Sequence, residues 1–546
     1  MNQIKPYRKL KGALLASFFL FGFIGISSAN YLADWPDEAL CQWMDNPSPP
    51  EHIVKEVERR GIGCDGGKVV SASQNISKNT SNTSTEKKTI EKKSNSSGKD
   101  LAIISNSAVA TNNSTIEGVW RGMQACDWDK DRWGGGEYEP GNAKFSGAFN
   151  FTIVNDSSSE GSKKFTAKNW IDQGGGYRVI ESFKISDNKI VVSDIFRKDE
   201  GSKMTWEGNL LSPNSMMIQS NNGSCRGKVY KSEEIVFDSY APKILLDYVD
   251  GVENDTKYEI PGLLTFPDTN QEKYPVMILI VNSGCWYRFR EYSYGKDILD
   301  QGIATLELDN CKSRGLSSWN PIGAGNFDKL TPWMGAADAL HALKFLQDHP
   351  RVDINSIGVM GFSYGGNVAL WTGIDVVRKS IVGEQLDFAL RVPFYPFCRQ
   401  FDDPKYSKNK LHIFTGELDS APAIYCQKMV KSFNESGYQA SIDVYPGAYH
   451  NFDDLFYDAP VEKVFGYAIT DQCNLWIDSD YKRSWRLDDM IIDLDQYPDW
   501  NVSADPLYDY YKAQCEVSGL VNTGRNDNAA RHSALKLIDL MNQHLK

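Results

Sequence analysis

Apolar runs bounded by turn residues alternate along the second half of the chain with stretches whose apolar positions recur every three to four residues. The runs are Tyr258 to Pro267, Val276 to Asn282, Ile303 to Asp309 and Ile357 to Gly361, and Gly335 to Leu346 is one of the helical stretches. This alternation predicts a doubly wound, mainly parallel α/β sheet over residues 236–546. A final helix carries Ala530, Ala534, Leu537, Ile538, Met541 and Leu545 on one face and is expected to close that domain. Residues 116–235 have a different rhythm. Short β-prone runs, among them Phe149 to Val154, Lys189 to Ser193 and Ser215 to Gln219, are separated by turn residues and predict an all-β sandwich or barrel domain.

The first 115 residues read as smaller units. Lys5, Arg8, Lys9 and Lys11 precede an apolar stretch from Gly12 to Ile26 and the small residues Ser27-Ser28-Ala29, the pattern of a secretory signal peptide over residues 1–29. The apolar stretch is shorter than the roughly 20 residues that span a bilayer, so no stable membrane span is expected after cleavage. Residues 30–70 suggest a small helical module, and 71–115 have the Ser-, Asn-, Thr- and Lys-rich composition of a flexible linker. That spacing suggests a module that docks on an envelope partner. Export would place the protein in the periplasm or outside the cell.

An oxidising compartment gives the ten cysteines meaning, because their number is even. Nearest-neighbour pairing predicts Cys41–Cys64, Cys126–Cys225, Cys285–Cys311, Cys398–Cys426 and Cys473–Cys515. A zinc site is disfavoured by the lack of any C-x-x-C pair. Asp127-Trp-Asp-Lys-Asp131 lacks the glycine and glutamate of a calcium loop and reads as a solvated turn. A formal charge of −12 disfavours binding to nucleic acid or anionic membrane, and the lysines at 87, 88, 92 and 93 lie in the linker.

The chemistry is concentrated in Gly361-Phe-Ser-Tyr-Gly365, a G-x-S-x-G turn between a strand and a helix-compatible segment. Such a turn exposes Ser363 as a nucleophile; the bland alternative is a glycine-rich turn. A hydroxyl needs a base, and the base a carboxylate to orient it. Leu411 to Asp419 reads as a strand ending in an acid, and Ser441 to His450 as a strand running into a histidine loop. Asp419 is preferred to Glu417 because it stands at the strand's carboxyl end and the two alternate in direction. Among the seven histidines, His52 is N-terminal, His341, His532 and His544 fall on amphipathic helices, His349 abuts Pro350, and His412 lies within a strand. His450 alone follows the last strand in a loop and is the candidate base. Tyr364 should supply one oxyanion amide, and Cys285 or Trp286, after the run Pro275 to Asn282, the other. Ser283-Gly284 is equally readable as a plain turn.

Nucleophile, acid and histidine in that order fit an α/β-hydrolase. The residues Asn282-Ser-Gly-Cys-Trp286, Leu306 to Gly315, Gly361 to Gly366, Phe394 to Cys398, Gly416-Glu-Leu-Asp419 and His450-Asn-Phe452 resemble the dienelactone hydrolase-like branch of that superfamily. The resemblance covers about 240–455 and the last helix. It implies a Ser363–His450–Asp419 triad and neither metal nor organic cofactor. Two departures stand out: members acting on dienelactones carry cysteine as nucleophile, and the oxyanion turn has Ser283 and Trp286 where the family has histidine and glycine. A different substrate follows, expected to be a small-molecule or carbohydrate ester. Trp286 is a candidate to stack on it, and Arg314 to pair with a substrate anion or to anchor its own loop.

Residues 455–520 form an acidic, aromatic-rich insertion beside the candidate base, expected to wall or cover the pocket. The whole reads as an exported serine hydrolase cleaving a carboxylic ester through an acyl-enzyme. A propeller-free peptidase of the prolyl-oligopeptidase type, and a surface-binding protein with a vestigial hydrolase domain, are the alternatives.

Overall fold

The structure, a computed structural model, describes residues 37–44, 51–65 and 68–70, strand segments between 118 and 196, and residues 203–546 apart from short stretches, the longest being 497–513. The expected signal peptide and linker lie outside the described residues. The α/β sheet is built from β1 (Cys225–Tyr240), β2 (Lys257–Thr265), β3 (Tyr274–Ile280), β4 (Ala304–Leu308), β5 (Val352–Phe362), β6 (Leu390–Phe394), β7 (Lys410–Gly416) and β8 (Ala440–Tyr445). Their spatial order is β1-β2-β4-β3-β5-β6-β7-β8. Strands β3 to β8 pair in parallel, while β2 is antiparallel to both β1 and β4. Tyr274 to Ile280 is buried at every position, which is why that run shows no polar alternation: helices cover both faces of the sheet.

The helix Pro332–Leu346 starts with Thr331 accepting a bond from Met334 N and with proline in its first turn, so its fixed φ and missing N–H cost nothing there. On the opposite face the helix Asp527–His544 is capped by Asn526 and buries Ala529, Ala530, Ala534, Leu537, Leu540 and Met541. It shares an apolar cluster with Met360, Phe362, Phe394 and Phe414 of β5, β6 and β7. No helix among the described residues is long and apolar enough to cross a membrane.

The antiparallel strands expected before the α/β sheet are present, and they continue it. One half of β1 pairs with Gly118–Cys126 and Ser215–Ser220, and its remainder pairs with β2, so all belong to one fourteen-stranded sheet. The register sets Cys126 opposite Cys225. Disulfides join Cys41 to Cys64, Cys285 to Cys311 and Cys398 to Cys426. Cys515 is also bridged, and Cys473 lies outside the described residues. The N-terminal module consists of the helices Asp37–Met44 and Glu51–Arg60 with a two-stranded hairpin. Its apolar face is occupied within the chain: Leu40 and Val57 are buried in the same cluster as Leu537 and Met541 of the last helix.

Three histidines away from the candidate site make stability acid-sensitive. Burial lowers the pKa of His341, His412 and His532 below 6.5, even though Asp338 pulls the first, and Asp443 the other two, the opposite way. The unfolded chain therefore binds these protons first as pH falls. The stabilisation is complete above pH 6.5 and is lost as pH drops through the depressed folded values, at no more than about 1.4 kcal/mol per group per pH unit. Urea midpoints should fall between pH 7.5 and 5.5, and His412→Gln should flatten that slope.

Candidate active site

The chain crosses from β3 to β4 on one side and then to β5 on the other, which opens a crevice at the carboxyl ends of β3 and β5. Ser363 stands there, between the end of β5 and the helix Tyr364–Trp371, with φ 57° and ψ −112°. A non-glycine residue in that conformation is strained and must be held by its surroundings. Ser363 N donates to Phe394 O at 3.0 Å, and Asn367 N donates to Ser363 O at 3.0 Å. The flanking glycines are required by close approach. A Cβ on Gly361 would lie 2.4 Å from Gly365 O, and one on Gly365 would lie 2.7 Å from Ile280 O. The helix thus starts directly against β3 and β5, leaving the serine hydroxyl at the tip.

Strand β8 delivers His450 to that hydroxyl. His450 Nε2 lies 3.0 Å from Ser363 Oγ, and Nδ1 lies 2.9 and 3.0 Å from the two oxygens of Asp419. The Asp419 side chain is fully buried, and its Oδ1 also accepts from Ala421 N at 2.9 Å. A carboxylate bound to Nδ1 fixes the tautomer that leaves Nε2 free to take a proton. Glu417, the rival acid, instead accepts from Gly447 N at 2.9 Å. The His450 carbonyl is held by Thr523 Oγ1 and Gly524 N, immediately after the insertion returns to the chain. His412 is tied to Ser441 and lies beside Asp443, both on β8.

The structure bears on two sets of expected roles. Cys285 N donates to Asn282 O at 3.1 Å, closing the turn, so this amide is already spent and cannot receive an oxyanion. Trp286 lies outside the described residues. Tyr364 N begins a helix, where amides have no intrahelical partner, and it has no backbone acceptor among the described residues. Arg314 takes the anchoring one of its two expected roles: its guanidinium makes two bonds to Asp338, at 2.9 and 3.1 Å, and one to Asn310 O, and packs over the Tyr258 ring. Both partners of that ion pair are buried, so Arg314 anchors its loop rather than meeting a substrate anion.

The sequence reading missed a buried polar group beside His450. Arg290 bonds Glu291, Tyr395 OH and Asn451 Oδ1, and Tyr395 OH donates to Asp453 Oδ1. Burial raises the pKa of both Tyr395 and Asp453, while Arg290 opposes the rise at each. Arg399 was also missed. It is buried over the Trp371 ring with no hydrogen-bond partner for Nε and Nη1 among the described residues, and burial, reinforced by nearby Arg483, pushes its pKa down to about 9. Among the described residues no group of three or more His, Cys, Asp and Glu side chains is arranged to hold a metal ion.

Residues 326–472 match the model of the dienelactone hydrolase family. No curated protein matches the chain. Similar solved structures include a carboxylesterase from Lactobacillus plantarum, 14% identical, covering 41% of this chain and 86% of its own, with a TM-score of 0.30. A dienelactone hydrolase-like promiscuous phosphotriesterase from metagenomic libraries is 11% identical over 57% of this chain and 98% of its own, with a TM-score of 0.34. An acylaminoacyl peptidase from Pyrococcus horikoshii is 12% identical over 56% and 60%, with a TM-score of 0.30. The family match spans Ser363, Asp419 and His450, and the strand order around them is that of the fold described above. Over residues 326–472, which hold all three of these side chains, the chain is dienelactone hydrolase-like.

Proposed function

We propose that the protein is an exported serine hydrolase that cleaves a carboxylic ester through an acyl-enzyme. The observation that carries this reading is the hydrogen-bonded line from Asp419 through His450 to Ser363 at the tip of β5. Ser363 Oγ attacks the ester carbonyl while His450 Nε2 takes its proton. Asp419 holds the imidazole and stabilises the charge it gains. The oxyanion is received by the Tyr364 amide and, in this proposal, by that of Trp286. Collapse expels the alcohol, which recovers the proton from His450, and water then releases the acid by the same steps in reverse. Three disulfides support export, because such bonds persist in oxidising compartments.

The insertion is proposed as one wall of the pocket. Its strands Asn474–Ile477, Arg483–Leu487 and Met490–Asp493 form a sheet joined to the body through Gln400–Phe401, which follows β6. Its stem pairs Val461–Lys463 with Val521–Thr523, next to His450. Excising residues 466–518 above that stem should change the ratio of rates on long- and short-chain esters by about tenfold or more, the scale of a few methylene contacts. An unchanged ratio would remove the wall assignment.

A rate panel of aryl acetates, acetylated sugars and dipeptide amides tests the reaction class. Ester cleavage well above amide cleavage is expected. Preferential amide cleavage would favour the peptidase, and inertness towards every member a vestigial, binding domain.

A further inference from the structure

The serine hydrolase reading requires two separate loops to act on the same ester group: the turn after β3, proposed to receive its carbonyl oxygen, and the loop after β8, whose His450 moves the proton of Ser363. We propose that Arg290 and Glu291 are positioning residues that hold these two loops in register with each other. The inference rests on the ester hydrolase reading above.

The connection is continuous. Gly284 N donates to Asn282 Oδ1 at 2.7 Å, and Asn282 Nδ2 donates to Glu291 Oε1 at 2.8 Å. Glu291 is bonded to Arg290, whose Nη1 reaches Asn451 Oδ1 at 2.9 Å and Tyr395 OH at 2.7 Å. Asn451 directly follows His450. The Tyr395 ring lies edge-on to the imidazole with centroids 4.7 Å apart, and the guanidinium sits 4.2 Å above the ring of Phe362, the residue before Ser363. One ion pair therefore touches the oxyanion turn, the base loop and the root of the elbow.

Its chemistry argues for placement rather than for holding the fold together. Arg290 and Glu291 are 2% and 1% exposed. A buried ion pair has a desolvation cost that apolar residues of the same volume avoid, and such replacements are often neutral or stabilising. Apolar residues cannot fix two polar loop ends to within hydrogen-bond tolerance. Asn451 needs that restraint, since its φ is 58° and its side chain is gripped on both sides, by Arg290 and by Thr523 Oγ1 at 3.1 Å. Catalytic groups displaced by about 1 Å lose on the order of a hundredfold in rate.

The test cuts the connection at each end. Asn282→Ala releases the turn from Glu291. Asn451→Gly removes the acceptor for Arg290 while keeping a residue that tolerates positive φ. Wild type, both single variants and the double variant are assayed on 4-nitrophenyl acetate, with active sites counted by fluorophosphonate titration and folding checked by thermal midpoint. Each single change should lower kcat by about tenfold or more with KM within about twofold. The double variant should be little worse than the poorer single, since residues acting as a unit are not additive. Multiplicative losses of about a hundredfold, or a kcat unaltered in Asn451→Gly, overturn the inference while the ester hydrolase reading stands. A wild type that neither labels nor hydrolyses the ester overturns both.

Discussion

Ser363→Ala should reduce ester hydrolysis by about a millionfold, to the residue of rate that binding and the oxyanion amides supply without a nucleophile. The size follows from the geometry: Ser363 Oγ is the only atom of the line that forms a bond to substrate, and the His450 imidazole meets no second hydroxyl among the described residues. The fold should not respond. The elbow is held by backbone bonds from Ser363 N and to Ser363 O, which alanine retains, and by the glycine contacts on either side. A thermal midpoint within about 2 °C of wild type, measured with the steady-state rate on one aryl ester, separates lost chemistry from lost structure. An alanine variant retaining a tenth of the rate would show that another group attacks.

Asp419→Asn should cost about ten-thousandfold in kcat with little change in KM. The amide keeps the size of the carboxylate but can present an N–H to Nδ1, which selects the tautomer with the proton on Nε2, facing Ser363 Oγ. The base is then blocked by its own proton. Asp419 is fully buried and makes the Nδ1 contact with both oxygens, so water cannot substitute for it. Glu417→Gln is the control. Glu417 binds Gly447 N on the far side of the loop, and its loss should leave kcat within about threefold of wild type. Equal losses in the two variants would reverse the choice between these acids.

Much of this was legible in the sequence because the signals are local. Glycines flanking Ser363 announce a sharp turn, and the structure shows the contacts that exclude a Cβ there. The unbroken apolar run of β3, and that of Ile357 to Phe362 in β5, mark strand segments covered on both faces. His450 was singled out by its place after the last strand. What was not legible arises from contacts distant in sequence. Arg290 meets Tyr395 and Asn451 at separations of 105 and 161 residues, and nothing around Phe289-Arg-Glu291 signals that its charges are buried. Arg314 meets Asp338 across 24 residues, and neither position alone reveals the pair. Cys285 illustrates a different limit. Its position after β3 pointed to an oxyanion amide, but the direction of one N–H depends on a φ of 55° and a bond back to Asn282, which residue type does not specify. The antiparallel strands were readable as strands, yet their continuity with the α/β sheet depends on the sixteen-residue length of β1, which serves both parts.

The central claim is that one serine hydroxyl is activated by the imidazole beside it. Its most direct measurement is peptide mapping of the protein after brief treatment with a fluorophosphonate at neutral pH, comparing wild type with His450→Gln. A single adduct on the peptide containing Ser363, formed at least about a thousandfold more slowly in His450→Gln, is the predicted result. An adduct on another serine, or labelling of Ser363 at the same rate without the imidazole, would contradict it.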